Sequence, residues 1–148
     1  MKAMLLKKNA TIKERPLRLE NLPVPIPQHK QILLKVLSCG ICHTELDEIE
    51  GRLTPTKFPI ILGHEIVGRV QGLGKGAKRF KEGDRAGIDW LNWACGKCSF
   101  CIKGKENLCN AAKWTGKDVD GGYAEYAIIH EDAPLCHFFE TGQAAQRG

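Results

Sequence analysis

The chain has 148 residues, enough for one ordinary domain with its own core and too few for two of average size. Its 22 Lys and Arg against 17 Asp and Glu give a net charge of +5, but the basic residues are scattered among the acids, so a nucleic-acid partner is not indicated. The first eight residues hold too short an apolar run, with charges close behind it, to act as a signal-peptide core, and no apolar stretch approaches a membrane span. Seven cysteines with no export signal imply a reducing cytoplasm and metal-bound or free thiols rather than disulfides.

In chain order, residues 3–6 and 17–20 are short strand candidates, the second alternating apolar with charged side chains. Pro23, Pro25 and Pro27 then forbid helix and ladder alike, so residues 22–29 form an extended surface loop in which His29 is a solvated bystander. Residues 31–38 make the strongest strand of the first third, rich in branched side chains and mostly buried. Residues 44–50 carry Leu46 and Ile49 three apart among acids, which suits one or two helical turns ending at Gly51. Residues 65–71 alternate again and run into Gly72-Leu73-Gly74-Lys75-Gly76. That cluster is a turn and not a dinucleotide fingerprint, because no helical apolar period opens after it. Residues 84–88 and 122–129 complete the strand candidates. Many short strands, little helix and frequent glycine turns predict a mainly β barrel or sandwich.

Two features carry metal chemistry. Cys42, in Gly40-Ile41-Cys42-His43-Thr44-Glu45, and His64, in Gly63-His64-Glu65, supply a thiolate and an imidazole, the donors a borderline-soft ion such as Zn²⁺ prefers. A site with two or three protein ligands keeps a coordination position open for water or substrate, the mark of a catalytic zinc. Cys95, Cys98, Cys101 and Cys109 follow the pattern C-x2-C-x2-C-x7-C, with Gly96 and Gly104 to bend the loop. Four thiolates on one loop predict a closed structural zinc site. An iron–sulfur cluster is the competing reading, though its familiar spacings do not include this one.

Cys39-Gly40-Ile41-Cys42-His43-Thr44-Glu45, Gly63-His64-Glu65, Phe80-Lys81-Glu82-Gly83-Asp84-Arg85, the four-cysteine lobe and Gly121-Gly122-Tyr123-Ala124-Glu125-Tyr126 resemble, in that order, the N-terminal half of zinc-dependent medium-chain alcohol dehydrogenases. The resemblance covers residues 1–130 and implies a GroES-like β-barrel catalytic domain with short helices and a structural-zinc lobe at residues 90–112. It further implies interconversion of small alcohols and aldehydes or ketones by hydride transfer from a zinc-bound alkoxide to NAD(P). A Rossmann domain that binds NAD(P) follows in that family, and no stretch of this sequence resembles it.

Residue by residue, the resemblance makes Cys42 and His64 ligands of the catalytic zinc and Glu65 a carboxylate near the metal that exchanges with water. It makes Thr44 the neighbour of the bound oxygen that passes a proton outward, and gives His43 to that relay or to the cofactor phosphates. Glu45 stands where the family usually has aspartate, to hold the zinc-bound histidine from behind. Cys39 is read as a small hydrophobe despite its C-x2-C spacing with Cys42. Trp90 and Trp93 stand where the family often has aromatic residues near the substrate cleft, with ordinary core aromatics the equally common alternative. A homo-oligomer is compatible with the resemblance; a nucleic-acid or membrane partner is not part of it.

The pattern departs after Ile129. Cys136, in Ala133-Pro134-Leu135-Cys136, comes ten residues after Tyr126, where the family's third ligand lies some thirty residues on. Cys136 is either that ligand after a deletion or, the favoured reading, an unrelated cysteine in a divergent tail of residues 131–148. His130 and His137 read as surface residues rather than substitutes, and the polar end reads as a frayed terminus. The expectation is a shortened catalytic half, inactive by itself. The alternative is a non-enzymatic, zinc-stabilised β domain that acts through protein contacts.

Overall fold

β1 (Lys2–Leu6) pairs antiparallel with β2 (Leu17–Asn21) on one side and with β4 (Ile60–Ile61) on the other, in a computed structural model that describes residues 1–133 and the backbone of Leu135–His137. A larger five-stranded antiparallel sheet runs in the order β10 (Leu135–His137), β6 (Arg85–Ile88), β5 (Ile66–Leu73), β3 (Gln31–Cys39), β9 (Tyr126–His130). The segment before β9 stitches the two sheets together. Met4 N–H donates to the Tyr123 carbonyl at 2.8 Å, and Glu125 N–H donates to that of Lys2 at 3.0 Å. A two-stranded ribbon of β7 (Leu91–Trp93) and β8 (Lys113–Trp114) flanks the cysteine lobe.

Alternation of branched apolar and smaller residues builds the barrel interior. Ile32 and Leu34 of β3, Ile66 and Val70 of β5, Ala86 and Ile88 of β6, and Ala127 and Ile129 of β9 form one buried cluster, closed by Phe80. Each such large side chain contributes roughly 1.5–3 kcal/mol by leaving water. β3 is less buried than its composition predicts. Its register shifts between Leu33 and Leu34 and between Val36 and Ser38, and Leu37 beyond the first shift is 51 % exposed. Such bulges bend a strand and re-aim its side chains, and the far end of β3, at Cys39, leads within three residues to Cys42. The strand expected over residues 122–129 is ordered throughout but joins the β3 ladder only from Lys35 opposite Tyr126.

A second cluster, Leu6, Ile49, Ile60 and Leu62, clamps α1 (His43–Glu50) against β1 and β4. The expected helix is present and ends at Gly51, with φ of 81°. Its inward face differs from the expectation. Glu45, Glu48 and Ile49 are buried, while Leu46 is half-buried. The glycine cluster begins inside β5, at Gly72 and Leu73, and turns at Lys75 and Gly76, and no helix follows it. Backbone pairing continues past residue 130, with Leu135, Cys136 and His137 opposite Ile88, Gly87 and Ala86. Pro134 and residues 138–148 lie outside the described residues.

Candidate metal centre

Three backbone hydrogen bonds fix the approach to His64. Gly121 N–H donates to Ile61 O at 2.7 Å, Tyr123 N–H to Leu62 O at 2.9 Å and Gly122 N–H to Gly63 O at 2.8 Å. At Gly63 the chain turns with φ of 96°, and a Cβ there would stand 2.6 Å from the Tyr123 ring and 2.8 Å from Cys39 Sγ. Only glycine combines that dihedral with that space. The turn delivers His64, 7 % exposed, to the N-terminus of α1.

There the His64 Nδ1 and Glu45 Oε1 atoms stand 2.7 Å apart, and Cys42 N–H donates to Glu45 Oε2 at 2.7 Å. Glu45 thus ties the histidine to the first turn of the helix that begins at Cys42. With Nδ1 engaged, Nε2 is left as the donor atom for a metal. Burial raises the Glu45 carboxyl, but the bonds from His64 and the Cys42 amide outweigh it and hold it below its ordinary range. The same bond raises His64 above the ordinary imidazole value against the opposing effect of burial. The extra methylene of glutamate is therefore accommodated with a short contact.

One donor atom from each of Cys42, His64 and Glu65 lies within 4.8 Å of the others. Glu65 reaches this position because Gly40 has no side chain: a Cβ there would be 2.1 Å from Glu65 Oε2. Cys42 sits at the helix N-cap, its thiol lowered by the Thr44 amide and hydroxyl. The Thr44 hydroxyl is 3.6 Å from Cys42 Sγ, at the rim of the cluster. His43 points away, 76 % exposed at the side chain, with Nε2 3.7 Å from Asp47. Cys39 is not in the donor cluster. Its thiol is pushed up to about 12, by burial first and the Glu45 charge second, which suits the packed hydrophobe expected of it.

The four lobe cysteines also converge, with all four sulfurs within 4.8 Å of one another. Cys95 and Cys101 are 3.9 Å apart, and Cys98 and Cys101 3.5 Å. A tetrahedron with bonds of roughly 2.3 Å has edges of about 3.8 Å, so one zinc fits between these sulfurs. A 4Fe–4S cluster, with a different iron behind each thiolate, and a 2Fe–2S cluster, with two thiolates on each of two irons, both spread the four sulfurs farther apart. A short helix α2 (Ser99–Ile102) opens at Cys98, and backbone N–H groups of Lys97 and Cys98 bring Cys95 down to about 6. Burial pushes Cys101 up to about 12.

Trp90 adjoins the centre, its ring 6.2 Å from that of His64 and 4.4 Å from that of Trp114. Trp93 stands three residues on, in β7. His130 lies across the sheet opposite Gln31, away from the donors. The side chains of Cys136 and His137 lie outside the described residues, so the third-ligand reading of Cys136 concerns a backbone position opposite Gly87. A cavity of about 470 Å³ lined by Pro23, Asn92, Tyr126 and Ile128 includes none of the centre's donors. Sequence reasoning missed two participants. Tyr123 donates its hydroxyl to the Gly40 carbonyl at 3.4 Å, and Glu48 is buried behind Glu45. The spacing of Glu48 from Glu45 carried a signal for a shared helix face, but acids among acids read as a solvated one.

A GroES-like β barrel with a four-cysteine lobe is the class of domain that fold and site define. Residues 28–138 match the profile of the alcohol dehydrogenase GroES-like domain, and the chain belongs to that family. It is 41 % identical over 120 residues to an alcohol dehydrogenase of Geobacillus stearothermophilus, covering 80 % of this chain and 36 % of that protein. It is 44 % identical over 122 residues to an alcohol dehydrogenase of Rhizobium meliloti strain 1021, covering 80 % and 35 %. A dehydrogenase from Sinorhizobium meliloti 1021, described as zinc-binding and solved with NADP, superposes with a TM-score of 0.81 at 31 % identity, covering 95 % of this chain and 39 % of that one. The chain spans little more than a third of the length of the relatives it matches. No helix among the described residues is long and apolar enough to cross a membrane.

Proposed function

We propose that these residues form the metal-holding catalytic half of a zinc-dependent alcohol dehydrogenase, which interconverts small alcohols and aldehydes or ketones with NAD(P). The observation that carries this reading is the 2.7 Å contact between His64 Nδ1 and Glu45, which leaves Nε2 to join Cys42 and Glu65 in an open donor set. Cys42 and His64 hold the metal, and Glu65 is an exchangeable third donor. Bound zinc supplies Lewis acidity toward an alcohol oxygen, and NAD(P) supplies the hydride chemistry. Thr44, beside Cys42, would accept the alcohol proton while handing its own hydroxyl proton outward, and exposed His43 would receive it at the solvent end of that path or meet the cofactor phosphates. Trp90 gives the cleft an apolar wall that excludes water. The lobe of Cys95, Cys98, Cys101 and Cys109 holds a second zinc that contributes stability and no chemistry.

The described residues contain no βαβ unit, and the strands of every sheet pair antiparallel. The 148 residues by themselves should therefore show little NAD-dependent ethanol oxidation. The six free thiols among the described residues support a reducing, cytoplasmic setting. Metal analysis tests the reading: two zinc per chain are expected, falling to one in Cys42→Ser and in His64→Ala. Unchanged metal content in both variants would refute the centre. Robust turnover by the isolated chain would refute the need for further sequence.

A further inference from the structure

Three buried side-chain polar atoms among the described residues have no hydrogen-bond partner, and two of them are the carboxylate oxygens of Glu48. Glu48 is 0 % exposed. An unpartnered buried carboxyl is costly, and an otherwise well-bonded structure retains one only with a reason. Glu48 follows Glu45 by three residues on α1, so the two side chains are stacked on one helix face, their Cβ atoms about 5–6 Å apart. Glu45 in turn touches His64. Glu48 thus stands directly behind the pair that orients the proposed metal donor, with no hydrogen bond to either.

The ionisable groups whose charges act on Glu48 or feel its charge are Glu45 on its own helix, His64 before β5, Lys117 and Asp118 after β8, and Tyr123 before β9. Lys117 is 3.5 Å from Asp118, and the cation is shared there rather than given to Glu48. Burial first, then the Glu45 charge, push the Glu48 carboxyl up to about 8. With both oxygens buried and unpartnered, the neutral acid is the less costly form of Glu48 while no cation is near. A divalent cation held by Cys42, His64 and Glu65 changes that balance, because a nearby dication favours the anion.

We propose that Glu48 is the charge-compensating acid of the metal centre: its carboxyl keeps its proton while the Cys42, His64 and Glu65 donors are empty and releases it to solvent when a divalent cation binds, tightening the hold on that cation. The inference rests on reading those donors as a metal centre. Linkage makes the effect reciprocal: what the cation does for Glu48 ionisation, the Glu48 anion does for cation affinity. Glu48 touches no reacting atom and is a positioning residue that acts through charge.

The test uses the full chain with its four-cysteine lobe already loaded with zinc. Zn²⁺ is titrated in weakly buffered solution near neutral pH, and the protons released are counted for wild type, Glu48→Gln and Glu48→Leu. Wild type should release about one proton more per added metal than either variant. Its affinity advantage should grow by up to about tenfold per pH unit as pH rises toward 8, since one extra proton is a slope of one in log affinity. A purely structural Glu48 would alter stability without altering the proton count. A second measurement needs no folded variant: the infrared carbonyl band of a protonated carboxylic acid should vanish from wild type on metal addition. Equal proton counts with parallel affinities, or a persistent acid band, would overturn the role of Glu48 while leaving the metal centre in place. Failure of wild type to bind a second metal would overturn the centre and the inference with it.

Discussion

Replacing Glu45 by alanine tests the most consequential contact in the centre. The carboxylate accepts from the Cys42 amide at 2.7 Å and meets His64 Nδ1 at 2.7 Å, and it is 2 % exposed. Its removal strands a buried imidazole and an amide of the first helical turn. Breaking one side of a buried pair costs about 3–5 kcal/mol. Loss of the bond to the Cys42 amide falls within that figure and is not additive to it. For a chain of this size each kcal/mol lowers Tm by roughly 2–4 °C, so a loss of about 3 kcal/mol lowers it by about 6–12 °C. Affinity of the Cys42 and His64 centre should fall about 10–100-fold, because the imidazole is no longer held in one tautomer and orientation. Scanning calorimetry of the metal-free chain reads the first effect, and zinc competition against a chromogenic chelator reads the second. Glu45→Asp, the residue usual in the family, should retain most of both. An alanine variant with wild-type Tm and zinc affinity would refute the reasoning, as would an aspartate variant as impaired as alanine.

Glu45 and His64 also set a pH window for the metal-free chain. Glu45 is lowered from 4.5, so its contribution is present above that value and lost as pH falls through its folded pKa; His64 is raised from 6.5, so its contribution is present below that value and lost as pH rises through its folded pKa. Thermal melts across pH should show the pair's contribution, read as wild type minus Glu45→Ala, largest between those limits. Cys101→Ser should remove one zinc and several kcal/mol, because a closed thiolate shell folds and binds in one step; unaltered zinc content would defeat the lobe assignment. Gly63→Ala should cost about 2–4 kcal/mol through a positive φ and contacts under 3 Å with Tyr123 and Cys39, which denaturant melts would show. Cys39→Ala should leave the zinc count unchanged. If Cys136→Ala lowers it, that cysteine is a ligand; loss of zinc from Cys39→Ala would instead make the Cys39 and Cys42 pair donors and refute the reading of Cys39 as a packed hydrophobe.

Local chemistry made much of this protein legible in one dimension. Four cysteines within fifteen positions meet on a short loop, and the branched apolar run of residues 31–38 and the period of two along residues 65–71 favour strands from local chemistry alone. Cys42 and His64 were recognisable by donor type, and Gly51 as a helix stop by its position. Tertiary structure alone decided which face of α1 turns inward. Sequence favoured Leu46 with Ile49; the fold buries Glu45 and Glu48 with Ile49, because the Cys42 amide and the imbedded His64 ring dictate the rotation of a helix only eight residues long. Likewise Gly63 and Gly40 are ordinary in sequence. Their necessity comes from Tyr123, Cys39 and Glu65 arriving from distant segments to fill the space a side chain would take. Spacing along a chain records what neighbours within a turn can do, and it is silent on which distant surface comes to rest against them.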